Sequence, residues 1–392
     1  MSEGWYVTAH DIDLWADKNP RRAQEELSLL VKKLIFASVK PIYICRICIP
    51  SKDAISLKGW DGIVEVKMGN LFVPAGLSVW EFGTSKDYKK KANEDYKKRS
   101  KDPLGIDKTN ATFVIVTSRI WEDKKNWVEE KNAEGKWKQV RVLDAVDLET
   151  WLHQCSAVHR WFARKIGKLP EGALDIEQAW EDWSSATEPL SNENFVIAGR
   201  TKAVENLIQK LKNEEPLVIR VFGESRDEAY AFILASIIKN AKELIPRVLI
   251  ITDPKEWMSI VEIQDPLILI PWFDDSINLK LAVQKGHWVI VPESSFQNKN
   301  QKESIVLPRP DKQSLVKALI EMGIDEKKAW EIVKNTRGFL SPLRRLFGDS
   351  KRPKWAQSEN AIPLIIALLI GAWDERNKHD IEKVKKTCWN IL

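Results

Sequence analysis

Residues Lys58–Arg99 decide the fold of the N-terminal half, and they read KGWDGIVEVKMGNLFVPAGLSVWEFGTSKDYKKKANEDYKKR. Two runs rich in β-branched and aromatic residues, Gly62–Lys67 and Leu77–Phe82, are separated by glycine and proline, which predicts two successive strands. The lysine-rich segment that follows has its apolar residues at helical spacing. This stretch therefore predicts two neighbouring strands and a basic helix after them.

The flanking sequence extends this pattern to a mixed sheet with helices on its faces. An amphipathic helix is predicted after Pro20, followed by a strand at Ile42–Ile49, and further on by a strongly apolar strand at Thr112–Ser118. Cys45 and Cys48 form a lone CxxC inside the Ile42–Ile49 strand, where residues three apart point to opposite faces. Since there is no second pair, buried thiols are predicted in preference to a zinc site.

The C-terminal half alternates apolar strands with amphipathic helices, which predicts a parallel sheet covered on both faces. From Asp311 onward the sequence is helical throughout. We therefore expect an α/β protein with a first domain at 1–168, a polar linker at 169–194, a second domain at 195–310 and a helical lid at 311–392.

Composition restricts the compartment and the partners. The chain has 392 residues, a formal charge of +5 and only four cysteines, and its N-terminal residues include no apolar signal segment. The longest apolar run, Ala361–Trp373, contains proline and glycine and is too short to span a bilayer. The sequence predicts a cytoplasmic protein that has no membrane partner.

Two carboxylates in the opening stretch have the spacing of a metal site. Asp61 precedes the first of the two strands, and Glu81 lies near the end of the second. Carboxylates on adjacent strands can hold Mg²⁺ or Mn²⁺, which polarises a phosphodiester and lowers the pKa of an attacking water. The pattern resembles the PD-(D/E)XK nuclease superfamily, restriction endonuclease-like and closest to its Mrr-like members, over roughly Arg21–Gly167.

This resemblance implies a metal-dependent DNA nuclease with Asp61 and Glu81 as metal ligands. The lysine expected two residues after Glu81 is replaced by Gly83, so the catalytic lysine must come from elsewhere. Lys86 and Lys91 are the candidates that we carry forward, and Glu65 is a further candidate carboxylate on the same face of the strand.

The helix after Glu81 concentrates the positive charge of the chain. Between Lys86 and Lys101 there are eight basic and three acidic residues. Such a helix suits sequence-independent, salt-sensitive contacts with DNA phosphates. The residues predicted to make these contacts are Lys89, Lys90, Lys97, Lys98 and Arg99.

The second half resembles STAND and AAA+ NTPases, in which a Gly-Arg pair opens the helix before the first strand, as Gly199 and Arg200 do here. Gly223 matches the first glycine of the P-loop, but Glu228, Ala229 and Tyr230 occupy the glycine, lysine and hydroxyl positions. Only Arg226 supplies a cation within the loop, and Asp274 and Asp275 follow a later strand in the manner of a Walker B motif. We therefore expect a P-loop-like sheet, with its degenerate loop around Gly223, Arg226 and Asp274, that does not hydrolyse ATP.

The combination resembles the front part of prokaryotic antiphage defence proteins. By that resemblance the nuclease-like domain acts on DNA, and the NTPase-like domain senses or assembles, as a homo-oligomer or within a larger defence assembly. The alternative is a catalytically inactive module that binds DNA or oligomerises, with Gly83 as the mark of lost catalysis.

Overall fold

The computed structural model describes residues 6–18, 20–50, 59–168, 171–213, 215–274, 277–294 and 304–347. The chain is mixed α/β and contains two mixed sheets, one of five strands and one of six. The predicted helix at Ala361–Trp373 and the predicted Walker B residue Asp275 lie outside the described residues.

The first sheet has the strand order β1-β2-β3-β4-β5, in sequence order. Its strands are β1 (Ile44–Cys48), β2 (Gly62–Val66), β3 (Gly76–Gly83), β4 (Thr112–Thr117) and β5 (Gln139–Leu143). The first three pair antiparallel, while β4 is parallel to β3 and β5 is parallel to β4. The predicted mixed sheet and its first four predicted strands are confirmed, and the structure adds the strand order and directions.

Helices cover both faces of the first sheet. They are α1 (Ala9–Lys18), α2 (Pro20–Ser38), α3 (Tyr88–Lys101), α4 (Lys124–Ala133), α5 (Ala145–His153) and α6 (Ser156–Lys165). Because side chains alternate along β3, Trp80 packs into the core formed with α1, α2, α5 and α6, whereas Val79 packs into the opposite core with Tyr96 of α3. Glu81, two residues after Val79, therefore lies on the α3 side.

One prediction for β1 is wrong. Cys45 and Cys48 are both exposed free cysteines and are not buried thiols. The reason is that β1 is an edge strand whose register with β2 shifts between Ile44 and Arg46, so only part of each face is covered.

The second sheet has the order β11-β7-β10-β9-β8-β6. Its strands are β6 (Ala173–Asp175), β7 (Val218–Gly223), β8 (Val248–Ile251), β9 (Ile268–Pro271), β10 (Trp288–Ser294) and β11 (Ser304–Val306). All neighbours are parallel except β6, which pairs antiparallel with β8. The parallel sheet predicted from the apolar strands is present, and the structure adds a short edge strand on each side, β11 parallel and β6 antiparallel.

The helices of this half are α7 (Ile176–Ser184), α8 (Glu193–Ile197), α9 (Thr201–Lys212), α10 (Arg226–Asn240), α11 (Glu256–Val261), α12 (Leu279–Gln284), α13 (Lys312–Glu321), α14 (Glu326–Thr336) and α15 (Leu340–Leu346). The segment predicted as a linker at 169–194 contributes β6 and α7, and Ile176, Ala179 and Trp183 of α7 lie in the main core of this half. Within the described residues no helix has the length and apolarity needed to cross a membrane.

Buried cations join the two halves. The Arg247 side chain is buried and donates from Nε to the Phe36 carbonyl at 3.0 Å and from Nη2 to the Val39 carbonyl at 2.7 Å. Lys33 of α2 pairs with Glu177 of α7 at 3.1 Å. Since Phe36 and Val39 lie at the end of α2, the guanidinium satisfies carbonyls at the negative end of that helix.

Candidate active site and the loop after β7

The structure brings Asp61 and Glu81 together at one end of β2 and β3. Gly62 pairs with Trp80 in the antiparallel ladder, so Asp61 comes beside Glu81 in register. The Asp61 carboxylate accepts a hydrogen bond from the Phe82 backbone N–H at 3.0 Å, which fixes it against β3. The two acidic residues that the sequence singled out are thus neighbours in space.

Glu81 is a buried carboxyl group whose pKa is strongly raised. Its residue exposure is 4%. Burial raises the pKa of Glu81, the negative charges of Asp61 and Asp95 raise it further, and the opposing pull of Arg99 leaves it at about 8. Perturbed carboxyls of this kind cluster at functional sites, although buried structural ion pairs produce them too.

Arg99 is the direct partner of Glu81. Its Nε donates to Glu81 Oε1, its Nη2 donates to the Gly59 carbonyl, and its guanidinium lies 4.6 Å from the centre of the Trp60 ring. The residue is 5% exposed, so it does not belong to the exposed basic face on which the sequence placed it as a DNA contact. Arg99 is instead part of the acidic site.

Lys91 packs next to the glycine that stands at the expected lysine position. A Cβ atom built on Gly83 would stand 3.6 Å from Lys91 Cγ, so the aliphatic chain of Lys91 covers the bare glycine. Lys91 Nζ donates to both carboxylate oxygens of Asp95, at 2.6 and 2.5 Å. Glu81, Lys91 and Asp95 line a cavity of about 10 Å³, which is room for about one water molecule.

Two other predicted site residues lie away from this cluster. Lys86 is well exposed and pairs with Asp17 of α1 at 3.0 Å. Glu65 shares a face of β2 with Asp61, but at about 3.3 Å per residue it is about 13 Å further along the strand, beyond the reach of a shared metal. Its partner across the ladder is Leu77 and not Glu81.

The predicted DNA-contacting lysines are on the exposed side of α3. Lys90, Lys97 and Lys98 are exposed, and Lys89, half-exposed, pairs with Asp123 at 2.6 Å. The ammonium groups at 90, 97 and 98 therefore belong to a solvent-facing surface, whereas Lys91, Asp95 and Arg99 form the inner stripe of the same helix.

The donor types suit a hard divalent cation, because carboxylate oxygens are the ligands that Mg²⁺ and Mn²⁺ take. In this arrangement, however, Glu81 is bonded to Arg99 and Asp95 to Lys91. Among the described residues, no three His, Cys, Asp or Glu side chains are grouped as a metal site. Glu81 and Asp95 are of the residue type that binds such a cation, and in this structure each is paired with a basic side chain of the protein.

The loop after β7 is the one that the sequence analysis compares with a P-loop, and a carboxylate of the chain itself fills it. Ser225 caps α10 by accepting from the Glu228 N–H at 3.1 Å, and Glu228 Oε2 accepts from the Glu224 N–H at 2.7 Å. Glu228 Oε1 pairs with Arg200, and both side chains are almost completely buried. A helix N-terminus is a natural anion site, and here Glu228 supplies the anion.

Gly223 is required by the tightness of this loop. A Cβ atom at that position would lie 2.9 Å from the Ser225 carbonyl oxygen and 3.0 Å from the Ala229 nitrogen. The glycine thus matches the P-loop pattern for a steric reason that holds without nucleotide.

The predicted cation of the loop is also engaged. Arg226 pairs with Asp274, donates to the Phe273 carbonyl at 2.8 Å and lies 4.7 Å from the centre of the Trp272 ring. Asp274, the described member of the predicted Walker B pair, thus has an arginine as its partner. Both charged side chains that the sequence assigned to this loop are thus engaged with each other.

Sequence reasoning missed Asp95 and the bonds that Arg99 and Glu228 make. The spacing of Lys91, Asp95 and Arg99, four residues apart on one helix face, was the available signal. For Glu228 the signal was an acidic residue in the first turn of a helix whose loop lacks a lysine. No model of a known protein family matches the chain, and no curated protein matches it in sequence.

Proposed function

We propose that the first sheet carries a Mg²⁺- or Mn²⁺-dependent DNA nuclease, with Asp61 and Glu81 as metal ligands and Lys91 as the catalytic lysine. The observation that carries the proposal is the placement of Lys91 over Gly83, beside the Asp61 and Glu81 pair. It supports a lysine that reaches the expected position from the neighbouring helix. In this proposal Lys91 takes the role of the lysine that Gly83 replaces, and its side chain packs against the glycine.

The residues have separate tasks in this proposal. Asp61 and Glu81 would hold the cation, and the cation would polarise the scissile phosphate and activate the attacking water. Lys91 would place a positive charge next to the phosphate once Asp95 releases its ammonium group. The exposed lysines at 90, 97 and 98 would bind the DNA backbone without reading sequence.

The test is nicking of supercoiled plasmid in Mg²⁺ or Mn²⁺ by the intact chain and by three variants. We expect Asp61→Asn and Lys91→Met each to lower the rate by at least about a hundredfold, since each removes charge stabilisation worth several kcal/mol. Lys125→Met is the matched control, because Lys125 is an exposed lysine of α4 that lies outside the site. If Asp61→Asn nicks plasmid as fast as the intact chain, Asp61 is not a metal ligand of the reaction and the proposed site is wrong.

A second candidate function is a DNA-binding or assembly module without catalysis. The observation that favours it is the Arg99 bond to Glu81, which supplies the positive charge that a cation would bring. The outcome that selects it is salt-sensitive DNA binding with no metal-dependent cleavage by the intact chain.

We further propose that the second sheet is a P-loop-like unit that serves assembly or sensing and does not hydrolyse ATP. In its support, β7 lies inside the sheet between β11 and β10, at a point where the chain order reverses, and its loop leads into the N-terminus of α10. The carboxylate of Glu228 and the absence of the P-loop lysine oppose nucleotide phosphates. A cytoplasmic antiphage defence protein, acting as a homo-oligomer or in a larger assembly, is the biological setting that this pairing suggests.

Hydrolysis of ATP and GTP, measured with and without DNA, tests this second proposal. We expect no turnover above that of the Asp274→Asn variant. Turnover that disappears in that variant would show that the loop is competent after all.

A further inference from the structure

We infer that Arg99 is the built-in counter-ion of the acidic site, which holds Glu81 in the cation-free protein and yields it when a divalent cation binds. This inference rests on the proposed metal site, and it concerns what keeps that site in order before metal arrives. It makes Arg99 a positioning residue and not a catalytic one.

The first step of the argument is the set of groups that Arg99 joins. Its guanidinium contacts Glu81 on β3 and also Gly59 and Trp60, the two residues that directly precede Asp61. Trp60 is itself fixed in the core, where its ring packs edge-on against Phe113 and Trp137 at 5.9 and 5.8 Å. Arg99 therefore ties the segment that carries one acidic residue to the strand that carries the other.

The second step concerns charge. Glu81 is buried, stands beside Asp61 in the ladder and lines one cavity with Asp95, and acidic groups close together in a poorly solvated place repel one another. Removing charges from water is expensive unless they are paired. Within the described residues, Arg99 is the basic group bonded to Glu81, while Lys91 is bonded to Asp95, so Arg99 provides the compensation at this carboxylate.

The third step is that a divalent cation and Arg99 require the same carboxylate. A cation bound to Glu81 brings the positive charge that the guanidinium supplies now, and the two positive groups repel each other at close range. The Gly59 carbonyl and the Trp60 ring remain as contacts for the guanidinium after Glu81 is released. The site can therefore exchange one counter-ion for the other without losing the placement of Asp61.

The experiment measures Mn²⁺ binding by calorimetry, together with thermal unfolding, at a pH above 8, where Glu81 of the intact chain is ionised beside Arg99. The proteins compared are the intact chain, Arg99→Met, Glu81→Gln and the double variant. We expect Arg99→Met to bind Mn²⁺ at least about tenfold more tightly, because a nearby charge changes the affinity of a carboxylate for a proton by 10-fold to 1000-fold. Without metal the same variant should unfold at a lower temperature than the intact chain. Mn²⁺ should raise its unfolding temperature by more than it raises that of the intact chain.

Glu81→Gln separates this role from mere packing. If Arg99 compensates the charge of Glu81, adding Glu81→Gln to Arg99→Met restores much of the lost stability and abolishes the Mn²⁺ binding. If Arg99 only fills space, the double variant is no more stable than Arg99→Met, and the inference is refuted. Arg99→Lys, which keeps the charge, provides the same affinity comparison should Arg99→Met fail to fold, and we expect its affinity to exceed that of the intact chain by a smaller factor.

Other outcomes distinguish this inference from the nuclease proposal. Equal or weaker Mn²⁺ binding by folded Arg99→Met, or no Mn²⁺ binding by any of the proteins, refutes the exchange of counter-ions. A chain that binds Mn²⁺ through Glu81 as described but nicks no plasmid refutes cleavage and still supports the role of Arg99.

Discussion

Removing the arginine that faces Glu228 should destabilise the second sheet strongly. In Arg200→Met the Glu228 carboxylate keeps its bond from the Glu224 N–H but loses its cation, at a position where both side chains are almost completely buried. Breaking a buried pair from one side costs about 3–5 kcal/mol of unfolding free energy. For a unit of this size that corresponds to a fall of roughly 6–20 °C in its midpoint of thermal unfolding.

Scanning calorimetry of four proteins provides the measurement and its controls. Replacing the carboxylate as well, in Arg200→Met with Glu228→Gln, should recover more than half of the loss, because the amide oxygen can still accept from Glu224 and no buried charge remains. Arg309→Met breaks the exposed pair with Glu224 and should change stability by no more than about 1 kcal/mol. If Arg200→Met lowers the stability by no more than Arg309→Met does, or if the double variant regains none of the lost stability, Glu228 does not fill this loop as a buried charge.

Two further predictions concern the first sheet. Burial and the neighbouring acids raise the pKa of Glu81 from 4.5 to about 8, so between these pH values the folded chain keeps a proton that the unfolded chain releases. The free energy of unfolding should therefore fall as the pH rises from 4.5 through about 8. Urea unfolding between pH 5 and 8 should therefore show the intact chain losing stability relative to Glu81→Gln, and a constant difference would contradict the raised pKa. The affinity for duplex DNA can be measured by fluorescence anisotropy at a series of salt concentrations. For Lys97→Met, the slope of log affinity against log salt concentration should be smaller by about one unit than for the intact chain. An unchanged slope would show that Lys97 does not contact the DNA.

The first sheet could be predicted from sequence because its signals are local. Each strand from β1 to β5 is a short apolar or alternating run bounded by turn residues, and the order of strands follows the order of the chain. Asp61 and Glu81 could be placed together for the same reason, since two consecutive strands that pair antiparallel bring the start of one beside the end of the other. In this sheet the order of strands along the chain is enough to predict which strands are neighbours.

The remaining features depend on contacts between distant residues. The spacing along α3 groups Arg99 with Lys91 and Asp95, but its bond to Glu81 depends on how the helix is placed against β3, because Glu81 is 18 residues away in the sequence. The expected linker was misjudged because β6 has only three residues, too few for an alternating pattern to be visible. The burial of Glu228 depends on Arg200, which is 28 residues away in the sequence.

The short strand β6 also determines how this chain can be divided. It covers the outer edge of β8, a strand whose four residues are all buried, and the helix that follows it belongs to the same core. A fragment started at residue 195, where the sequence suggests a boundary, would uncover that edge and leave its backbone groups free to pair with other chains. We expect such a fragment to aggregate, so anyone who wishes to study the C-terminal half alone should begin it before Gly172.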